Sequence, residues 1–205
     1  MSLFPIFVKL EGRLVVVVGG GAVAEGKIPG LLSGEARVRV IAPAVTPKIA
    51  EWVRFAKIDW LPKSFDPADL QNAFLVISAT SAPGVNEAVF LEAESRRILC
   101  NAVDDIEHCH FYYGAVVQRG DLQIAISTNG KSPALAQRLR QELEAQFGPE
   151  YETWLQWLGA ARETLRSADP NPESAKTLLH QLASKPMFDL FVRQATRQPS
   201  DRGVA

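Results

Sequence analysis

Five consecutive apolar residues, Leu14-Val15-Val16-Val17-Val18, run directly into Gly19-Gly20-Gly21. An unbroken run of this kind reads as a strand buried on both faces, the habit of central strands in parallel sheets. The next segment, Ala22-Val23-Ala24-Glu25-Gly26-Lys27, can continue as helix. Gly19-x-Gly21-x-x-Ala24 then fits the dinucleotide fingerprint in its Gly/Ala form. Gly19 permits a tight turn, and Gly21 lets the backbone approach a pyrophosphate. Ala24 allows close helix–strand packing, with the helix N-terminus facing the phosphates. A purely structural glycine-rich turn is the competing reading of the same residues.

The pattern repeats along the first half of the chain. Phe4, Ile6 and Val8 alternate in a short extended piece, and Glu11-Gly12-Arg13 turns it into the Val-rich strand. A helix is expected over Glu25–Ser33, with Pro29 in its first turns, where proline costs least. Strands are expected at 38–41, 58–61, 74–77 and 98–103, and helices at 46–56 and 85–96. Alternating βα units of this kind make a doubly wound parallel sheet with right-handed crossovers. Ser78-Ala79-Thr80 closes one strand with small residues, where such sheets open their ligand crevice. After the second strand an acid would normally hold the ribose of NAD. This chain has Ile41, Ala42 and Pro43 there, so either backbone or other loops hold the ribose or the cofactor is absent. Arg37 and Arg39 are the cations near enough in sequence to meet a 2′-phosphate, although strand arginines commonly face solvent.

Beyond residue 114 the order changes. Two apolar runs, 115–118 and 122–127, flank Arg119-Gly120-Asp121, a loop short enough only for an antiparallel hairpin. Ser132-Pro133 opens a helix as N-cap and first-turn proline, and Gly148-Pro149 ends it. Leu135, Leu139 and Leu143 share one stripe of that helix. From Glu150 on the chain reads as helix, with Trp154, Leu155, Trp157 and Leu158 as a buried face. Asp169-Pro170-Asn171-Pro172 forms a linker, and residues 198–205 are expected to fray.

With 205 residues and a net charge of −1, the chain has no global attraction to nucleic acid or anionic lipid. No stretch approaches the roughly 18 apolar residues of a membrane span. The N-terminus lacks the basic start and apolar run of a secretory signal. Two cysteines, Cys100 and Cys109, fit idle thiols in a reducing compartment better than a disulfide scaffold. The expectation is a cytoplasmic protein. His108-Cys109-His110 alternates in a way that could face a metal, but two imidazoles make a poor closed site.

The placed segments resemble the precorrin-2 dehydrogenase/sirohydrochlorin ferrochelatase family, which includes the N-terminal half of multifunctional sirohaem synthases. The likeness rests on Phe4-Pro5-Ile6-Phe7, the glycine strand with Val23-Ala24-Glu25 and Lys27, and Ser78-Ala79-Thr80. It continues through Cys100-Asn101-Ala102-Val103-Asp104, Arg119-Gly120-Asp121-Leu122, and Ile126-Ser127-Thr128-Asn129-Gly130-Lys131-Ser132-Pro133. Together these span about three quarters of the chain, in order. Three positions depart from the pattern: Gly114 stands where many members have Pro, His110 where many have Asp, and Thr128 where some have Ser.

The resemblance implies a Rossmann-like NAD-binding domain over residues 1–113, a hairpin-centred dimerisation domain over 114–149, and a helical region over 150–205. It implies a homodimer that oxidises precorrin-2 to sirohydrochlorin with NAD. Some members also insert ferrous iron. Asp104 matches the acid to which the family assigns catalysis. Ala22, Val23, Pro43 and Ala44 match cofactor-contact segments, and the family also lacks the usual acid after the second strand.

The chemistry needs a base as well as a hydride acceptor, and Asp104 stands at the carboxyl end of a sheet strand. A loop or helix-capping aspartate is the plain alternative. A polycarboxylate substrate calls for cations, for which Lys131, Arg119, Arg138 and Lys27 are candidates beside Thr128. Trp154 and Trp157 read as helix-packing core rather than as a tetrapyrrole platform. Two rivals share the fold: a regulatory module that senses NAD without catalysis, and a chelatase without cofactor.

Overall fold

A computed structural model describes residues 3–81, 83–168 and 172–197. The linker at 169–171 and the terminal stretch 198–205, both singled out above, lie outside the described residues. Two compact units divide the chain, one over Phe4–Tyr113 and the other from Gly114 onward.

The first unit is built on a five-stranded parallel sheet. Its strands are β1 (Leu14–Val18), β2 (Arg37–Ile41), β3 (Asp59–Leu61), β4 (Leu75–Ser78) and β5 (Leu99–Ala102). They lie in the order β3-β2-β1-β4-β5. The order reverses beside β1: β2 and β3 extend to one side of it, β4 and β5 to the other. That reversal is a topological switch point, where open α/β sheets bind ligands. Val15, Val16 and Val17 are fully buried, as the two-sided reading of the Val run requires. Val15 and Val17 join one apolar cluster with Ile28, Ile49 and Ile77, while Val16 and Val18 join another with Leu70, Val76 and Val89.

Three helices accompany the sheet: α1 (Ala22–Ser33), α2 (Pro47–Arg54) and α3 (Pro83–Arg96). Thr46 caps α2, its hydroxyl accepting from the Ile49 N–H at 3.3 Å, with Pro47 at the first turn. α1 begins three residues earlier than the helix expected at Glu25, because Gly21 turns directly into it. Pro29 therefore lies in the helix interior rather than near its start, and the helix still runs on to Ser33. Burial of Ala24, Ile28 and Leu31 against the sheet offsets the backbone bond that proline removes. The N-terminal piece from Phe4 to Val8 forms no strand and is exposed, Phe4 at 86% and Phe7 at 71%.

The second unit starts with the expected antiparallel hairpin, β6 (Ala115–Arg119) and β7 (Leu122–Ile126), paired in register from Ala115↔Ile126 to Arg119↔Leu122. Helix α4 (Pro133–Gln146) follows, Ser132 Oγ accepting from the Leu135 N–H at 3.2 Å. Helices α5 (Glu150–Ala168), α6 (Pro172–Leu182) and α7 (Lys185–Arg197) complete it. Here the core is aromatic. Phe188 stacks on Tyr151 at 4.4 Å between ring centroids and meets Trp154 edge-on at 4.9 Å. Trp154 is buried, as expected. Trp157, expected beside it, is 38% exposed and meets Phe191 at 5.9 Å between ring centroids, outside the Tyr151–Trp154–Phe188 group.

Candidate cofactor cleft and active site

The carboxyl ends of β1, β2, β4 and β5 are knitted together by main-chain bonds that continue past the strands. Gly19 N–H donates to Ile41 O at 2.9 Å, Ala79 N–H to Val18 O at 2.7 Å, and Val103 N–H to Ser78 O at 2.8 Å. Over this edge opens a pocket of about 720 Å³. Gly19, Gly21, Ala22, Val23, Ile41, Pro43, Ala44, Ala79, Thr80 and Asp104 all line it. Two residues named with them do not. Ala24 is fully buried on the core face of α1, and Ser78 is buried with its hydroxyl 2.7 Å from Asn86 Oδ1.

The three glycines have different physical duties. Gly19 has φ +118°, and a Cβ there would stand 2.3 Å from Ala79 O. A Cβ on Gly20 would stand 2.1 Å from Ala44 O and 2.9 Å from a Val45 methyl. Both positions admit only glycine for reasons of packing and backbone. Gly21 differs: a Cβ would meet nothing within 4 Å, in a φ of −87° that any residue adopts. It is the N-cap of α1 and offers no capping side chain, so the first-turn N–H groups face the pocket without a side-chain acceptor. A methyl on Gly21 would fill space in the cleft alone. That cradle suits a pyrophosphate lying against the helix N-terminus.

On the β2 side, the expected ribose-binding acid is missing, and among the described residues no Lys or Arg lines the pocket. Arg39 leans toward Asp59 at 3.9 Å and Arg37 is exposed at the far end of β2. Trp60 Nε1 donates to Ala42 O at 2.9 Å and fixes the turn that carries Pro43 and Ala44. Ser64, from the loop after β3, adds a hydroxyl to the lining. Nothing in the run Pro62-Lys63-Ser64-Phe65 marks that residue as part of a site, so sequence reasoning passes over it.

Asp104 closes the opposite wall. It is exposed and holds a left-handed backbone, φ +62°, one of six such non-glycine residues among those described. A left-handed aspartate is strained and persists only when its surroundings impose it. The constraint comes from both flanks. Asp105 N–H donates to Ala102 O at 3.2 Å, and Asp105 Oδ2 lies 2.7 Å from His108 Nδ1. Asn101, buried in β5, donates from Nδ2 to Phe111 O at 2.8 Å. Cys109 Sγ reaches Ala102 O and Asp105 O, both at 3.1 Å. The loop from 104 to 111 is thus tied back on β5, and the Asp104 carboxylate stays at the cleft. Asn101 has no role assigned from sequence; the signal is an amide inside an otherwise apolar buried strand.

The histidines flanking Cys109 are occupied by protein groups. His110 Nδ1 accepts from the Cys100 N–H at 2.9 Å, so its Nε2–H faces the Glu94 carboxylate. His108 meets Asp105, and both rings lie against Phe90. No group of three or more metal-ligating side chains occurs among the described residues. Burial pushes the Cys100 thiol up to about 12, with Cys109 and Asp105 adding to the effect, and burial raises Cys109 as well.

The other candidates belong to the second unit, apart from Lys27. Lys27 Nζ sits 4.2 Å over the Tyr113 ring. Arg119 donates to three carbonyls, Phe147 O at 2.8 Å, Gln118 O at 2.9 Å and Glu144 O at 3.0 Å, and so caps the end of α4. Arg138 pairs along its helix with Glu142 at 3.5 Å. Thr128 Oγ1 accepts from Ser132 N–H at 3.2 Å and donates to Ser132 O at 3.1 Å, closing the loop before α4. Lys131 stands exposed on that loop beside Asn129 and Gly130, both with positive φ.

Comparison with known proteins agrees with this architecture. The family model described as putative NAD(P)-binding matches residues 6–115, and that described as sirohaem biosynthesis protein central matches residues 119–146. Siroheme synthase 1 of Serratia proteamaculans is 37% identical over 171 residues, 82% of this chain and 36% of that protein. The siroheme synthase of Xylella fastidiosa is 37% identical over 194 residues, 94% of this chain and 41% of its own. The chain therefore spans about two fifths or less of the length of these curated relatives. Among solved structures, SirC, a precorrin-2 dehydrogenase, superposes with a TM-score of 0.78 at 28% identity, covering 96% of this chain and all of that one. The first of the two family models spans more than half of the chain, which therefore belongs to the family described as putative NAD(P)-binding.

Proposed function

We propose that this protein is a precorrin-2 dehydrogenase that uses NAD to form sirohydrochlorin. The observation that carries the reading is one cleft holding both an open glycine cradle at Gly21 and the strained, exposed carboxylate of Asp104. When bound, the nicotinamide accepts a hydride from the substrate. The α1 N-terminus and the backbone of Gly19–Val23 would hold the pyrophosphate, while Pro43, Ala44 and Ser64 bound the ribose side. That no Lys or Arg lines the cleft among the described residues supports NAD over NADP, because a 2′-phosphate would lack a counter-charge from them.

Oxidation removes two hydrogens from the macrocycle. One C–H bond breaks with its electron pair leaving as hydride; a proton leaves from a second position. Asp104 takes that proton and, being exposed, returns it to water. Its left-handed backbone aims the carboxylate into the cleft before substrate arrives, so little reorganisation accompanies reaction. Ala79 and Thr80 form the floor of the cleft, positioned by the Ser78–Asn86 bond. Lys131 is the cation we assign to a substrate carboxylate, on the loop that Thr128 closes, with Arg119 holding α4 behind it.

The hairpin and α4 are proposed as the dimerisation element of a homodimer. Between residues 114 and 149 only Val117 is buried, and Val116 and Leu135 remain 42% and 39% exposed. A two-stranded hairpin with one buried side chain is marginal on its own and gains from a covering partner. Purified protein given NAD and precorrin-2 tests the function: the absorbance of sirohydrochlorin should grow with that of NADH. Tight NAD binding without turnover would make the chain a sensor instead.

A further inference from the structure

The second unit holds a cavity of about 790 Å³ between α5 and α6. Leu158 and Leu179 supply apolar lining from either helix, and every ionisable residue of the lining is basic: Arg162, Arg166, Lys176 and His180. Arg162 and Arg166 stand one helical turn apart, a like-charge spacing that destabilises a helix. Lys176 lines the trough from α6, with the His180 imidazole one turn further on. None of the four pairs with a carboxylate among the described residues, although Arg138, Arg140 and Lys185 in the same unit all do. An apolar trough rimmed by uncompensated cations on both helices is complementary to a ligand with an apolar body and peripheral carboxylates. Guanidinium pairs suit carboxylates in particular, and the volume is within the range of small-molecule sites.

We propose that this groove is a second binding site for a carboxylated tetrapyrrole, separate from the cleft that carries Asp104. The ligand class rests on the function proposed above; the site itself rests on the charge and shape of the groove. It would hold the macrocycle by its body against Leu158 and Leu179 and by its carboxylates on the basic rim. Such a site keeps a reactive tetrapyrrole on the protein before or after oxidation.

Uroporphyrin, a fluorescent octacarboxylate, serves as probe in equilibrium titrations of the full chain. The comparison is wild type against Arg162→Glu/Arg166→Glu and the conservative Arg162→Lys/Arg166→Lys, each checked by circular dichroism. The charge reversal should remove one site per chain or weaken it at least tenfold, and the lysine pair should keep it. Turnover of precorrin-2 should be the same in all three. Unchanged titration of the charge-reversed protein overturns the proposal. So does a change of oligomeric state on charge reversal, which would assign the groove to a second copy of the chain. Loss of turnover in wild type would sink the dehydrogenase reading alone, because a charge-sensitive site would still be counted.

Discussion

A Cβ on Gly19 would stand 2.3 Å from the carbonyl oxygen of Ala79, so the ends of β1 and β4 meet with no space for a side chain. This approach occurs at the switch point of the sheet, and it sets the floor on which the cofactor cleft rests. Next to it, Gly20 is packed against Ala44 and Gly21 is open. Three consecutive glycines therefore divide into two that serve the fold and one that lies open to the cleft.

That division predicts opposite outcomes for one methyl group. Gly20→Ala must push apart main chain at Ala44 and should cost about 1–3 kcal/mol of stability, as overpacking does. Gly21→Ala should leave the thermal midpoint unchanged and weaken NAD binding at least ~tenfold, or about 1.4 kcal/mol. Thermal denaturation and calorimetric titration of both variants check this. Equal effects of the two substitutions on stability would contradict it.

Asn101 bonds Phe111 O from within β5 and holds the loop that presents Asp104. Asn101→Leu should leave that carbonyl without its partner, at about 1–3 kcal/mol. Turnover should fall while NAD affinity stays the same, since the glycine edge lies across the cleft. Paired kinetic and binding measurements on the folded variant decide the point.

The Cys100 thiol, held up to about 12 by burial, links stability to alkaline pH. In the unfolded chain the thiol ionises near its ordinary value, while the folded protein keeps it protonated. Its folded value is the higher one, so stability is intact below about pH 9 and declines toward pH 12, with a slope of up to ~1.4 kcal/mol per unit. Cys100→Val should flatten that decline. Native protein at pH 8 should also leave Cys100 unmodified by a thiol reagent that labels it after unfolding.

Much of the first unit is legible in the sequence because its signals are local. The Val run, the glycine turn and the alternation of strand and helix each come from neighbouring residues, and the sheet follows from them. Helix starts are less legible: α1 begins three residues before Glu25, since Gly21 turns straight into a helix whose first residues carry no apolar periodicity. The cleft is legible wherever a motif names a strand end. Ser64 and Asn101 are not, because one reaches the pocket through a loop and the other acts across ten residues. Arg119 shows the reverse case: a cation that looks free for a substrate is held by three carbonyls that sequence spacing does not reveal.

The most direct test replaces Asp104 by Asn. The amide is the same size and tolerates the left-handed backbone that Asp104 adopts, so fold and cleft should persist. NAD should bind Asp104→Asn as it binds wild type, and oxidation of precorrin-2 should slow by ~10²–10⁴-fold, the usual worth of a positioned base. Oxidation at the wild-type rate by a folded, NAD-binding Asp104→Asn protein would contradict the account.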